Sequence, residues 1–251
     1  MAVKQINSEQ NKKTKAHNEY IAMLIKGDFH AAGVVAEYYE LSNKEKKLII
    51  VESYEKCFTD KKFFQAANIA KYGGLEKEKQ MLAAEMAYDV LMDKKYFEVA
   101  ARVAKEHGLG VKKQRSAAKM FFKMCMENKD YQFAVYAASE FDLGKDVVQF
   151  VALKFYKILF NNDMFIAAAR VAKENGLKKE DEQIAACRGY EKELINGNFD
   201  NAEYVARYHN LNENQKLIAT TRAYVICNYK GNLNRAQKIA SNNELNKIHR
   251  I

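Results

Sequence analysis

Six cations recur at related places along the chain: Lys119, Lys123, Lys154, Lys157, Arg188 and Arg222. Lys154, Arg188 and Arg222 are each 34 residues apart, at one place of a 34-residue period. If each period is one stacked helical unit, these three form a ladder with rungs roughly 10 Å apart. Such a ladder suits a ligand that repeats its negative charge, either the carboxylates of an acidic peptide or the phosphates of a nucleic acid. Matching places earlier in the chain hold Glu52, Glu55, Glu85 and Asp89, and Glu191 interrupts the later cations. The expectation is a surface acidic toward one end and basic toward the other.

The remaining reactive side chains do not converge. Cys57, Cys125 and Cys227 share one place in the period, 68 and 102 residues apart. Two or more stacked units separate them by about 20 Å or more, too far for a disulfide or a shared zinc ion. They read as small core side chains, and Cys187, at a different place, reads as the more accessible thiol. His107 and His209 stand three units apart and read as surface turn residues, so no metal site is expected. The chain has no HExxH, no phosphate-binding glycine loop, no dinucleotide glycine fingerprint and no nucleophile elbow. The expectation is a protein that is not an enzyme, with no catalytic residues, cofactor or small-molecule substrate.

The elements that position the cations follow from the repeat. Ala100 to Leu109 (AARVAKEHGL) is echoed by Ala168 to Leu177 (AARVAKENGL). Taking the terminal Leu as a mark, Leu41, Leu75, Leu109, Leu143, Leu177, Leu211 and Leu245 follow one another every 34 residues with no insertion. Ala recurs five residues before each mark, from Ala36 to Ala240, and nine before, from Ala32 to Ala236. Twelve before stand Phe29, Phe63, Phe97, Tyr131, Phe165, Phe199 and Leu233; thirteen after the preceding mark stand Tyr20, Tyr54, Tyr88, Phe122, Tyr156, Tyr190 and Tyr224. A fixed period of this length signals stacked supersecondary units. Aromatic, Ala and Ala at spacings of three and four make one apolar stripe of a helix, helix B. A preceding helix A of about fifteen residues, for example Met81 to Lys94, carries the other aromatic row. Gly27, Gly197 and Gly231 stop helix A, and Gly74, Gly108 and Gly176 stop helix B. Both aromatic rows are expected in the core.

A 34-residue helical hairpin with Gly-x-aromatic-x-x-Ala opening its second helix, as in Gly197, Phe199, Ala202 and in Gly27, Phe29, Ala32, resembles the tetratricopeptide repeat. The resemblance implies an all-α, right-handed α-solenoid of seven 34-residue helix-turn-helix repeats, with helix A lining the concave side. The units are 8–41, 42–75, 76–109, 110–143, 144–177, 178–211 and 212–245, in one domain over 1–251 with short tails at 1–7 and 246–251. The chain lacks Trp and Pro altogether, so that family's early Trp and late Pro are missing. Its helix A aromatic also falls earlier than the family's Tyr.

Composition narrows the setting. A chain without Pro suits nearly continuous helix. Residues 1–16 are polar and basic, unlike a signal peptide. The most apolar run, 147–160, contains Gln149, Lys154 and Lys157 and is too short and too charged to cross a membrane. Four Cys without an export signal suggest a reducing, cytoplasmic setting. A polar last helix B (Asn234, Arg235, Gln237, Lys238, Ser241, Asn242) reads as a cap. With a net charge of +9, the chain is expected to be a scaffold or adaptor that holds a partner protein or acidic peptide along the helix A face. The alternative is an RNA-binding helical-repeat protein that uses the Lys/Arg ladder.

Overall fold

The computed structural model describes residues 2–242, and the side-chain surroundings of 11–241. Leu245 and the expected tail 246–251 lie outside the described residues. Among the described residues the chain is all α: fourteen helices and no strand. Long and short helices alternate. The long ones are α1 (Ala2–Lys26), α3 (Asn43–Thr59), α5 (Lys77–Asp93), α7 (Val111–Glu127), α9 (Lys145–Asn161), α11 (Lys179–Asn196) and α13 (Glu213–Tyr229). The short ones are α2 (Phe29–Tyr38), α4 (Phe63–Tyr72), α6 (Phe97–Glu106), α8 (Tyr131–Glu140), α10 (Phe165–Glu174), α12 (Phe199–Tyr208) and α14 (Leu233–Asn242). Every short helix is ten residues long and begins on the aromatic or Leu mark.

The long helices begin earlier than the apolar pattern indicates. α5 starts at Lys77 rather than Met81, because its first turn (Lys77, Glu78, Lys79, Gln80) is polar and carries no stripe. α1 starts at Ala2, well ahead of the buried Ala16. Capping explains other starts. The Ser42 hydroxyl accepts from the Glu45 amide while the Glu45 carboxylate accepts from the Ser42 amide, and Asn212 and Gln215 do the same for α13. Each reciprocal pair satisfies two amides that have no partner within the helix.

The chain falls into two compact units, Met1–Met124 and Cys125–Ile251. Within each, consecutive helices pack on one another in the manner of a helical-repeat solenoid. Methyl groups make this packing possible. Ala66, Ala100, Ala134, Ala168 and Ala202 are wholly inaccessible to solvent, and the row five before the mark is buried from Ala36 through Ala206. The helix A aromatic row is buried at Tyr20, Tyr54, Tyr88, Tyr156 and Tyr190 and half-buried at Phe122 and Tyr224. The helix B row is buried at Phe63 and Phe97 and half-buried at Phe29, Tyr131, Phe165 and Phe199. Leu233 departs from the expectation: it opens α14 and is exposed.

The buried tyrosines do more than fill space. The Tyr54 hydroxyl donates to the Lys79 carbonyl at 3.3 Å, Tyr88 to the Lys113 carbonyl at 3.0 Å, and Tyr156 to the Asp181 carbonyl at 3.1 Å. Each bond joins one long helix to the first turn of the next. Lysines add a second link. Lys71 donates to the Glu106 carbonyl and Lys173 to the Tyr208 carbonyl. Both are 35 residues ahead, so each lysine covers the C-terminal carbonyls of the next short helix.

Both turns of the hairpin need a left-handed residue. After the long helix φ is +84° at Gly27 and +83° at Gly197, and also +58° at Lys61, +62° at Lys95, +59° at Lys129 and +57° at Asp163. Here the amide that follows the left-handed residue reaches back five residues, as in Tyr96 to the Leu91 carbonyl and Asn198 to the Glu193 carbonyl. This is a Schellman closure. A side chain at such a φ costs about 1–2 kcal/mol, partly offset by the greater entropy that glycine loses. Lys61→Gly and Lys95→Gly are therefore expected to stabilise the protein by about 1 kcal/mol each, measured by thermal or urea unfolding; a lower midpoint would contradict this account of the turn.

Candidate functional site

The six cations all lie on exposed helix faces. Lys119 and Lys123 are on α7 in the first unit, where Glu52, Glu55, Glu85 and Asp89 are also exposed. Lys154 and Lys157 (α9), Arg188 (α11) and Arg222 (α13) belong to the second unit. The structure brings two of them together. Arg188 and Arg222 line one open cleft of about 460 Å³ between α11 and α13, with Glu180, Gln183, Ile184, Cys187, Gln215, Ile218 and Ala219. Lys154 stands one repeat back, its ammonium 5.1 Å from the centre of the Phe150 ring. Phe150 lines a second cleft of about 340 Å³ between α9 and α11.

The partners of these cations differ. Arg188 reaches Glu191 at 3.5 Å, and Glu191 is 5% exposed. That pairing gives the interrupting acid a structural role on α11. Arg222 has no carboxylate within ion-pair distance among the described residues, and its charge acts on the half-buried Cys187 thiol that lines the same cleft. Burial raises that thiol's pKa, and Arg222 lowers it by less. The thiol therefore stays protonated at neutral pH and lines the cleft as an apolar surface.

The sequence reading missed the apolar half of this face. Seven residues after the mark stand Leu48, Leu82, Phe150, Ile184 and Ile218, all 50% exposed or more. Each lies one helical turn before a member of the row that holds Glu52, Met86, Lys154, Arg188 and Arg222. The signal was present in the period but was absorbed into the apolar stripe. In the second unit the face therefore offers a guanidinium or ammonium beside an exposed apolar side chain on each long helix.

The cysteines fall as expected. Cys57, Cys125 and Cys227 are buried, Cys187 is half-buried, and none is in a disulfide. No group of three or more metal-ligating side chains comes together among the described residues.

The histidines do not fall as expected. Neither His107 nor His209 is a surface residue: they are 4% and 1% exposed. The turn position they share is a packing position, held in another unit by Phe141 at 1%. His209 Nδ1 lies 2.9 Å from Glu182, which is itself buried and bonded to Lys179 at 2.8 Å. An ionised carboxylate only accepts, so Nδ1 carries the proton. Burial, the largest influence on Glu182, raises its pKa, but Lys179 and His209 outweigh it and hold the carboxyl below its ordinary range. Burial lowers the pKa of His209 despite the carboxylate beside it.

His107 has no such partner; neither ring nitrogen is hydrogen-bonded. Burial, and then Lys71, lower its pKa. The folded state therefore resists the proton that the unfolded chain accepts near pH 6.5. Its contribution is intact above that pH and is lost as pH falls through the depressed folded value. His107→Phe, the residue found at the equivalent position 141, is expected to raise stability at pH 7 by about 1–3 kcal/mol by removing an unsatisfied buried polar group. It is also expected to flatten the fall in melting temperature between pH 7.5 and 5.5. An unchanged pH slope in calorimetry would sink this assignment.

No helix among the described residues is long and apolar enough to cross a membrane. Compared with protein-family models, curated proteins and solved structures, the chain matches none of them.

Proposed function

We propose that the chain is a non-catalytic scaffold or adaptor that binds a partner protein or an acidic segment of one along the exposed face of its long helices. It works in a reducing, cytoplasmic setting. The hairpins, in this reading, are seven 34-residue units coiled in the right-handed sense of tetratricopeptide-like arrays. The observation that carries the proposal is the pairing, on α9, α11 and α13, of an exposed apolar side chain with a cation one turn later: Phe150 with Lys154, Ile184 with Arg188, Ile218 with Arg222. Apolar anchors bring affinity by leaving water. Cations beside them select acidic partners and speed their approach.

RNA is the weaker reading. Single-stranded nucleic acid calls for flat aromatic side chains between the cations, whereas two of the three rungs here carry isoleucine.

The test compares the native chain with Lys154→Glu/Arg188→Glu/Arg222→Glu. Lys154 and Arg222 are exposed, and their reversal is expected to change the melting temperature little. Arg188→Glu removes the partner of the buried Glu191 and is expected to lower it; affinities are therefore compared well below the transition. A protein that co-purifies with the native chain is expected to lose at least about tenfold in affinity for the variant, read by surface plasmon resonance. A mixed single-stranded RNA is expected to show no binding at near-physiological salt by fluorescence anisotropy. RNA binding that weakens steeply with salt and vanishes in the variant would replace the protein-partner reading. Partner affinity that the variant leaves unchanged would remove these residues from the site.

A further inference from the structure

The second unit carries three parallel rows on its long-helix face. In the middle is the apolar row Phe150, Ile184, Ile218, each more than half exposed. One turn later runs the cationic row Lys154, Arg188, Arg222. One turn earlier runs a third row, Asp146 and Glu180, both exposed and each lining one of the two clefts. On α9 and α11 the face is thus acidic, apolar and cationic in sequence across its width, and on α13 the first place is held by Asn214.

Two dimensions of this surface constrain what lies on it. Along the stack, the rungs repeat at roughly 10 Å, the spacing of packed helices. Across it, the outer rows are eight helical residues apart, or about 12 Å at 1.5 Å per residue. An α-helix satisfies both. Seven of its residues advance about 10.5 Å and return to within about 20° of the same direction, and its diameter with side chains is about 10–12 Å. An extended strand does not: about 10 Å is three residues, and odd spacings put successive side chains on opposite faces. A polyproline helix has a suitable period, but its backbone stays solvated and it docks on aromatic-lined grooves, whereas two of the three apolar places here are isoleucine. Each amide that lines the clefts already has one of its groups engaged within the fold. Gln183 donates to the His209 carbonyl at 2.7 Å, Gln149 to the Gly176 carbonyl at 2.8 Å, and the Gln215 side-chain oxygen accepts from the Asn212 amide at 2.9 Å. A helix arrives with its own backbone bonds made.

We infer that this face is the seat of an amphipathic helix from a partner protein, lying across α9, α11 and α13 with apolar residues at i, i+7 and i+14. One flank of that helix is acidic and meets Lys154, Arg188 and Arg222. The other flank is basic and meets Asp146 and Glu180. About four turns, or roughly 15 residues, span the three rungs. The inference rests on the proposed partner-binding role and specifies its ligand.

The experiment selects binders from a displayed library of random 18-residue peptides on the immobilised full chain. Selected peptides are then measured against Ile184→Asp/Ile218→Asp and Arg188→Glu/Arg222→Glu, both confirmed by circular dichroism to be folded at the assay temperature. The expected result is peptides without proline, with apolar residues seven apart, and with acidic and basic residues on opposite flanks. Their helical circular dichroism is expected to grow on binding. Both variants are expected to weaken them at least about tenfold, and exchanging the acidic flank for lysine is expected to restore binding to Arg188→Glu/Arg222→Glu. Peptides that contain proline or space their apolar residues by two or three, yet are lost in the same variants, would overturn the helical ligand and leave the partner-binding face standing. Selection that yields no peptide sensitive to either variant would overturn both.

Discussion

The close contact of methyl groups is what the rest of the structure depends on. Two alanine rows per hairpin, almost wholly inaccessible from Ala66 to Ala202, let neighbouring helices sit at the short end of their usual ~8–10 Å separation. At that distance the tyrosine hydroxyls reach carbonyls of the next hairpin, and the lysines at Lys71 and Lys173 reach the ends of the next short helix. A larger side chain in either row would force the helices apart and break these longer-range bonds before any polar group was itself altered. The polar links are conditional on the packing.

The surface follows from the same arrangement. When the aromatic and alanine positions point inward, the residues a turn away from the stripe are left on the outer side of each long helix. Their order along the helix becomes their order across the face. The unit containing α9, α11 and α13 therefore displays charge of one sign, then apolar area, then charge of the other. Open furrows lie between its helices, with Arg222 in no ion pair among the described residues and the Cys187 thiol protonated. In the proposed reading such a surface recognises by extended complementarity, with binding energy distributed over several rungs.

Much of the fold was legible because the period is unbroken. The start of each short helix, the buried alanines, the solvent-facing cations and the burial of Cys57, Cys125 and Cys227 all follow from counting in 34s. The first turns of the long helices were not legible, because polar exposed turns such as Lys77 to Gln80 carry no stripe. The left-handed turns at Lys61, Lys95, Lys129 and Asp163 were hidden because glycine marks only some copies. The histidines were misread as surface groups because polar residue type was given more weight than position, although Phe141 at the same place pointed inward. The face as a whole was half legible. Its cations stood out against their neighbours, while Phe150, Ile184 and Ile218 looked like ordinary members of an apolar helix.

The tyrosine bonds have one more consequence. Their acceptors are main-chain oxygens, carried by Lys79, Lys113 and Asp181, so the bond is indifferent to the side chain at the accepting position. A hairpin that offers its backbone in this way can follow any hairpin that supplies the phenol. Copies are thereby interchangeable, and an array can lengthen by duplication without compensating changes on the far side of each new junction. Divergence is then free to concentrate on the outward-facing letters of each copy, where one module comes to differ from the next.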